Sequence, residues 1–215
     1  MQLVAMLKRL FLFSLGAVLL NMSGTGLADQ STVEGRSALS AVGGYEGRIR
    51  LIRYLDEPDG YCIDIPGNIS FLLPFPAWAH TCHFDRVPDQ VFRYNRDGKH
   101  NIRWIYEDSK QKFDWCLTAK SKVSGSYFEY ATCDQPSLQE FEYTDLGEFK
   151  LKDSDFCIYV ESTGPIAGKL MLPGGDPYGR GRSINPAYSH LARILELQPC
   201  GSGEISMERW EALIE

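Results

Sequence analysis

Three copies of one pattern occupy most of this 215-residue chain: a Cys, a second Cys, then Gln or Glu, any residue and an aromatic. Cys62 and Cys82 precede Gln90-Val91-Phe92; Cys116 and Cys133 precede Gln139-Glu140-Phe141; Cys157 and Cys200 precede Glu208-Arg209-Trp210. The aromatic falls 10, 8 and 10 residues beyond the second Cys, and Gly98 and Gly147 follow the first two aromatics at +6. A similar Gly-x-apolar stretch, Gly47-Arg48-Ile49, precedes the first Cys. A period of about 40–55 residues is the mark of a repeat architecture, in which each unit completes its core against its neighbours. All six cysteines fall within the pattern, two to a repeat.

Paired cysteines need an oxidising compartment, and the N-terminus reads as the route to one. Lys8-Arg9 precedes the eleven-residue apolar run Leu10–Leu20, and the stretch after it ends Gly26-Leu27-Ala28. A charged start, a short apolar run and small residues at −3 and −1 predict a signal peptide over 1–28. The run is shorter than the roughly 20 residues needed to span a bilayer. No later segment is apolar for long enough, so no membrane span is expected and the localisation is read as secreted or periplasmic. Cleavage removes two bases and no acid, moving the net charge from −6 to −8. That balance argues against a nucleic-acid partner, because phosphate recognition relies on clustered Lys and Arg.

Residues 29–45 are small, polar and Gly-rich and are read as a flexible leader. From Gly47 onward the chain breaks into short strand-like pieces: Arg48–Tyr54, Tyr61–Ile65, Phe113–Ala119, Tyr127–Cys133, Glu148–Lys152 and Cys157–Glu161. Short strands with frequent turns predict an all-β barrel or sandwich. The third cysteine pair lies 43 residues apart, against 20 and 17 in the others. The excess, around 172–190, has the composition of a long surface loop, and its Gly and Arg residues match no phosphate-binding motif. Met207–Leu213 reads as a terminal helical turn, and the C-terminus is expected to end near the first repeat.

Cys-x-[Asp/Thr/Tyr], a second Cys and Gln-x-[Phe/Trp], three times over, resembles the ricin-type β-trefoil lectin family. The resemblance covers residues 46–215 and implies a disulfide-bonded, all-β trefoil of three pseudo-symmetric repeats. It places Phe92, Phe141 and Trp210 in the core and gives the Gln a turn-holding role; Glu208 departs from that pattern. It also implies disulfides within each repeat, Cys62–Cys82, Cys116–Cys133 and Cys157–Cys200.

In that family, sugar is held by a carboxylate two residues after the first Cys, an aromatic near the second, and the residue before the Gln. The physical logic is that a carboxylate accepts hydrogen bonds from vicinal hydroxyls while a ring covers the apolar sugar face. Carried over here, the set is Asp64, Trp78, His80, Asp89 and Gln90, all in the first repeat. The second repeat has Thr118 and Leu138 at matching places and the third has Tyr159 and Met207, so neither is expected to bind sugar. Read from the residues alone, Asp64 is equally a turn or solvated acid, and Trp78 equally a core aromatic.

His80-Thr81-Cys82-His83 contains metal-ligand residue types. With Cys82 assigned to a disulfide and no second His/Cys cluster, neither metal nor cofactor is expected. No Gly-x-Ser-x-Gly or His-Glu-x-x-His motif occurs, and the chain is read as a non-enzyme. Asn68-Ile69-Ser70 is a glycosylation sequon. The leading expectation is a weak carbohydrate-binding protein with a glycan or glycoprotein partner. The alternatives are a sugar-inactive trefoil acting through protein contacts, as a toxin-accessory subunit or inhibitor, and a small exported enzyme.

Overall fold

A computed structural model describes residues 35–40, 43–55, 57–65, 75–83, 88–107, 109–110, 112–161, 192–202 and 207–213. The segment read as a signal peptide, the sequon and the stretch 172–190 lie outside these residues.

The described chain is all-β, with helical structure confined to single turns. Its thirteen strands are β1 (Tyr45–Leu51), β2 (Tyr61–Asp64), β3 (Phe75–Pro76), β4 (Trp78–Thr81), β5 (Phe92–Tyr94), β6 (Ile102–Glu107), β7 (Lys112–Ala119), β8 (Phe128–Thr132), β9 (Phe141–Tyr143), β10 (Phe149–Leu151), β11 (Phe156–Val160), β12 (Ala192–Pro199) and β13 (Trp210–Leu213).

Six of them close a barrel. β1 pairs with β5, β5 with β6, β9 with β10, and β13 with β1, all antiparallel. The bridge Asn101↔Glu140 joins the start of β6 to β9, and the Trp210 amide donates to the Gly147 carbonyl to join β13 to the entry of β10. Closure removes the unpaired edges that an open sheet would expose. The remaining long strands form three hairpins, β2–β4, β7–β8 and β11–β12. These interlock through β4–β12, β3–β8 and the bridge Tyr127↔Glu196. A barrel of six strands capped by three hairpins is a β-trefoil.

The repeat pattern maps onto this frame element by element. Phe92, Phe141 and Trp210 each begin a barrel strand and are fully buried. Tyr94 and Tyr143 sit two residues further on, and the Tyr94 hydroxyl donates to the Phe141 carbonyl at 2.9 Å. Burial pushes its phenol up to about 12, so it stays a neutral donor. The recurring glycines close matched turns: Gly98 and Gly147 have φ of +73° and +88°, and their amides donate to Asn95 and Thr144 three residues back. Each hairpin is tied by its own disulfide, Cys62–Cys82, Cys116–Cys133 and Cys157–Cys200.

Two expectations are corrected. The stretch read as a flexible leader forms a helical turn at residues 35–39 that buries Leu39 to 1% exposure against the barrel core. Ala38 and Tyr45 of the same stretch pack on that core as well. Met207–Leu213 is not one helical turn: Trp210–Leu213 is β13, held by four residue pairs to β1. Pairing with β1 supplies hydrogen bonds that so short a helix would leave unmade, and it brings the C-terminal strand to the first repeat.

Candidate functional site

The site is built around the turn before β5. Residues Pro88–Gln90 form one 3-10 turn, and the fully buried Gln90 side chain uses both ends of its amide. Its Oε1 accepts from the His83 backbone amide at 2.9 Å, and its Nε2 donates to the Thr81 carbonyl at 2.9 Å. The same Nε2 donates to Asp64 Oδ2 at 2.6 Å. A glutamine suits this place because it carries an acceptor and two donors on one short planar group.

The second repeat repeats the device. Gln139 Oε1 accepts from the Gln135 amide at 2.9 Å, and Nε2 donates to the Thr132 carbonyl at 2.6 Å. Where Gln90 meets a carboxylate, Gln139 Nε2 meets the Thr118 hydroxyl at 2.9 Å, and that hydroxyl donates onward to the Cys116 carbonyl. In the third repeat Glu208 accepts from the Gly201 amide at 3.1–3.2 Å. Burial raises the Glu208 carboxyl above the usual carboxylate range, and the Gly201 amide partly opposes this.

Asp64 and Trp78 face each other across β2 and β4, as do Cys62 and His80. Directly opposed residues share a face, so Asp64, Trp78 and His80 all lie on the side of the hairpin away from the barrel core. Tyr61, Ile63 and Ala79 point into that core. The hairpin is further fixed from below by the Tyr130 hydroxyl, which donates to the Asp64 carbonyl at 2.9 Å.

The predicted set is brought together in part. His80 Nδ1 lies 3.4 Å from Asp64 Oδ2, and Gln90 reaches the same oxygen. Asp64 is 3% exposed and Trp78 2%, while His80 and Asp89 are half-buried. Trp78 packs against Ala192 and Ile194 of β12, so its face is occupied by protein. The Asp89 carbonyl accepts from the Ile65 amide at 3.0 Å, a contact that joins the turn to the end of β2.

His83 was noted in the sequence only for its residue type, without partners. It lies just past Cys82, and its ring centroid is 5.6 Å from that of His80. Donor atoms of Asp64, His80 and His83 all fall within 4.8 Å of one another, which makes them a possible ligand set for a cation. The third donor is no His or Cys but a carboxylate on the neighbouring strand β2. A Cys-x-Asp followed later by His-x-x-His would have been the signal.

Among solved structures, the chain is similar to an agglutinin from Abrus precatorius, with a TM-score of 0.48 and 14% identity. The match covers 80% of this chain and 48% of the agglutinin chain, so this protein spans about half the length of its match. No protein-family model matches the sequence. No curated protein matches it either. The trefoil assignment stands on the strand pairing described above.

Among the described residues no helix is long and apolar enough to cross a membrane. The three disulfides fit an oxidising compartment.

Proposed function

We propose that the protein is an exported, non-catalytic, lectin-like β-trefoil that binds carbohydrate weakly through its first repeat. The observation that carries this reading is the difference between the turns. Only in the first repeat does the turn glutamine hold a carboxylate, Asp64, with a half-buried imidazole, His80, beside it. Gln90 occupies Oδ2 and orients the group, and His80 adds a hydrogen-bonding edge nearer solvent. A sugar hydroxyl approaching past His80 would meet a pre-positioned acceptor. A single shallow site of this kind is expected to bind with millimolar affinity, about −4 kcal/mol. Useful retention would come from several copies on a multivalent surface. We place the signal peptide at 1–28 and start the trefoil unit at Gly35, ahead of 46, because Leu39 belongs to its core.

A second reading, a sugar-inactive trefoil working through protein contacts, is favoured by the burial of Trp78 against β12. A broad glycan array probed with the chain from Asp29 onward separates the two. Retention that is lost in Asp64→Asn and kept in Thr118→Ala supports the carbohydrate site. An array that retains no wild-type protein moves the assignment to protein contacts.

A further inference from the structure

We propose that Asp64, His80 and His83 form a binding site for one zinc-class divalent cation, with Gln90 as the positioning residue. The claim goes beyond the carbohydrate reading and does not depend on it.

The geometry supplies the first argument. In a tetrahedral zinc site with ligands about 2.0–2.2 Å from the ion, neighbouring ligand atoms lie about 3.4 Å apart. His80 Nδ1 and Asp64 Oδ2 stand at 3.4 Å, and the third donor, on His83, completes a set within 4.8 Å. The half-buried His83 imidazole is the ligand that would rotate to bring the set to that spacing.

The second argument is that the frame around these donors is stiff. Asp64 and His80 are diagonal neighbours on one face of the β2–β4 hairpin. The Cys62–Cys82 disulfide ties the same hairpin one residue before His83. Gln90 donates to the Asp64 carboxylate at 2.6 Å and accepts from the His83 backbone amide at 2.9 Å, so one side chain holds one ligand directly and fixes the main chain that carries another. Outer-shell groups that hold ligands in this way normally contribute strongly to metal affinity.

Chemistry selects the ion. Two neutral imidazoles and one carboxylate form a borderline-soft donor set with a charge of −1, suited to Zn²⁺ rather than to Ca²⁺ or Mg²⁺, which favour all-oxygen shells. Three protein donors leave a fourth position for water or a ligand oxygen. His80 and His83 are both half-buried, which leaves the ion a path from solvent.

The other repeats act as internal controls. The places of Asp64, His80 and His83 are held by Thr118, Ala131 and Asp134 in the second repeat and by Tyr159, Gln198 and Gly201 in the third. Neither set offers three metal donors, so the proposal expects one ion from the three matched places.

The test is a calorimetric titration of Zn²⁺ into the chelator-treated, disulfide-intact chain, with Co²⁺ absorption as a report on tetrahedral geometry. We expect one saturable ion per chain and a zinc-dependent rise in Tm. Asp64→Asn, which keeps the side chain's shape, and His83→Ala should each lower zinc affinity at least tenfold and abolish the Tm shift. His100→Asn, a change that tolerates the left-handed backbone at φ +56°, should leave both unchanged. A wild-type chain that takes up no stoichiometric zinc overturns the proposal. So do His83→Ala and Asp64→Asn variants that bind zinc as the wild type does. Zinc uptake is read without any glycan, so a blank glycan array leaves this result standing, and failure to bind zinc leaves the carbohydrate reading open.

Discussion

The turns of the first and second repeats share a scaffold and differ in what the scaffold holds. Gln90 and Gln139 each accept a backbone amide just past the second Cys of the repeat and donate to the carbonyl just before it. The remaining contact diverges: Gln90 reaches the Asp64 carboxylate, Gln139 the Thr118 hydroxyl. Thr118 passes its own proton to the Cys116 carbonyl, so the second turn is internally complete with no charge. The first turn holds a nearly buried anion with two imidazoles around it. Burying a charge costs free energy unless it is compensated. Threonine completes the second turn without an acid, whereas in the first Gln90 and His80 surround the Asp64 carboxylate.

The largest test of this comparison concerns what the repeats share. Phe92→Ala and Phe141→Ala should each cost about 3–5 kcal/mol in denaturant unfolding, because both rings are fully buried at matched barrel positions. A large loss from only one of them would break the pseudo-symmetry.

The next sharpens the difference. Gln139→Ala leaves a buried carbonyl and an amide without their partner and should cost about 1–3 kcal/mol. Gln90→Ala strips the same backbone contacts and also removes the donor from the Asp64 carboxylate, so its loss should be the larger. The double variant Gln90→Ala with Asp64→Ala should recover part of that extra loss in a thermodynamic cycle. Equal single losses with no coupling would mean that the carboxylate is not held by the turn.

The smallest effect is in the third repeat. Glu208 accepts from Gly201 but, when ionised, has no proton to donate as the two glutamines do. Its pKa is raised in the folded chain, mainly by burial, so folding favours the protonated form. The penalty is absent below the unfolded carboxylate range and appears as pH rises through the raised folded value. Glu208→Gln should therefore stabilise by about 1 kcal/mol at neutral pH, with the gain shrinking as pH falls through that range. A pH-independent gain, or none, would show that the third turn does not work as the first two do.

Reading the sequence located five of the thirteen strands closely and missed β5 and β9, which open on the repeat aromatics Phe92 and Phe141. Tyr61–Ile65, Phe113–Ala119, Tyr127–Cys133, Glu148–Lys152 and Cys157–Glu161 match β2, β7, β8, β10 and β11 to within a residue at each end. The first strand was placed three residues late at both ends, because Tyr45, Glu46 and Gly47 look like loop until β5 pairs with them. β12 went unread, since its partner β11 lies more than 30 residues away. At the site, Asp64, His80 and Gln90 were singled out by the resemblance to ricin-type lectins, and the structure brings their side chains together. His83 was legible only as a residue type beside Cys82. Trp78 was readable as either platform or core, and its packing against Ala192 and Ile194 put it among protein neighbours.

What the sequence by itself determined is the three-fold plan. Cysteines, turn glutamines and barrel aromatics recur at near-constant spacing, and local periodicity is preserved in one dimension. Only the tertiary structure decided how the barrel closes, that Leu39 and β13 complete it, and that Asp64 comes within reach of His80 and His83. Those contacts depend on strand register, which is set by the pairing of distant segments and by which face each side chain takes. A shift of one residue in β2 against β4 would turn Asp64 into the core and leave no site at all.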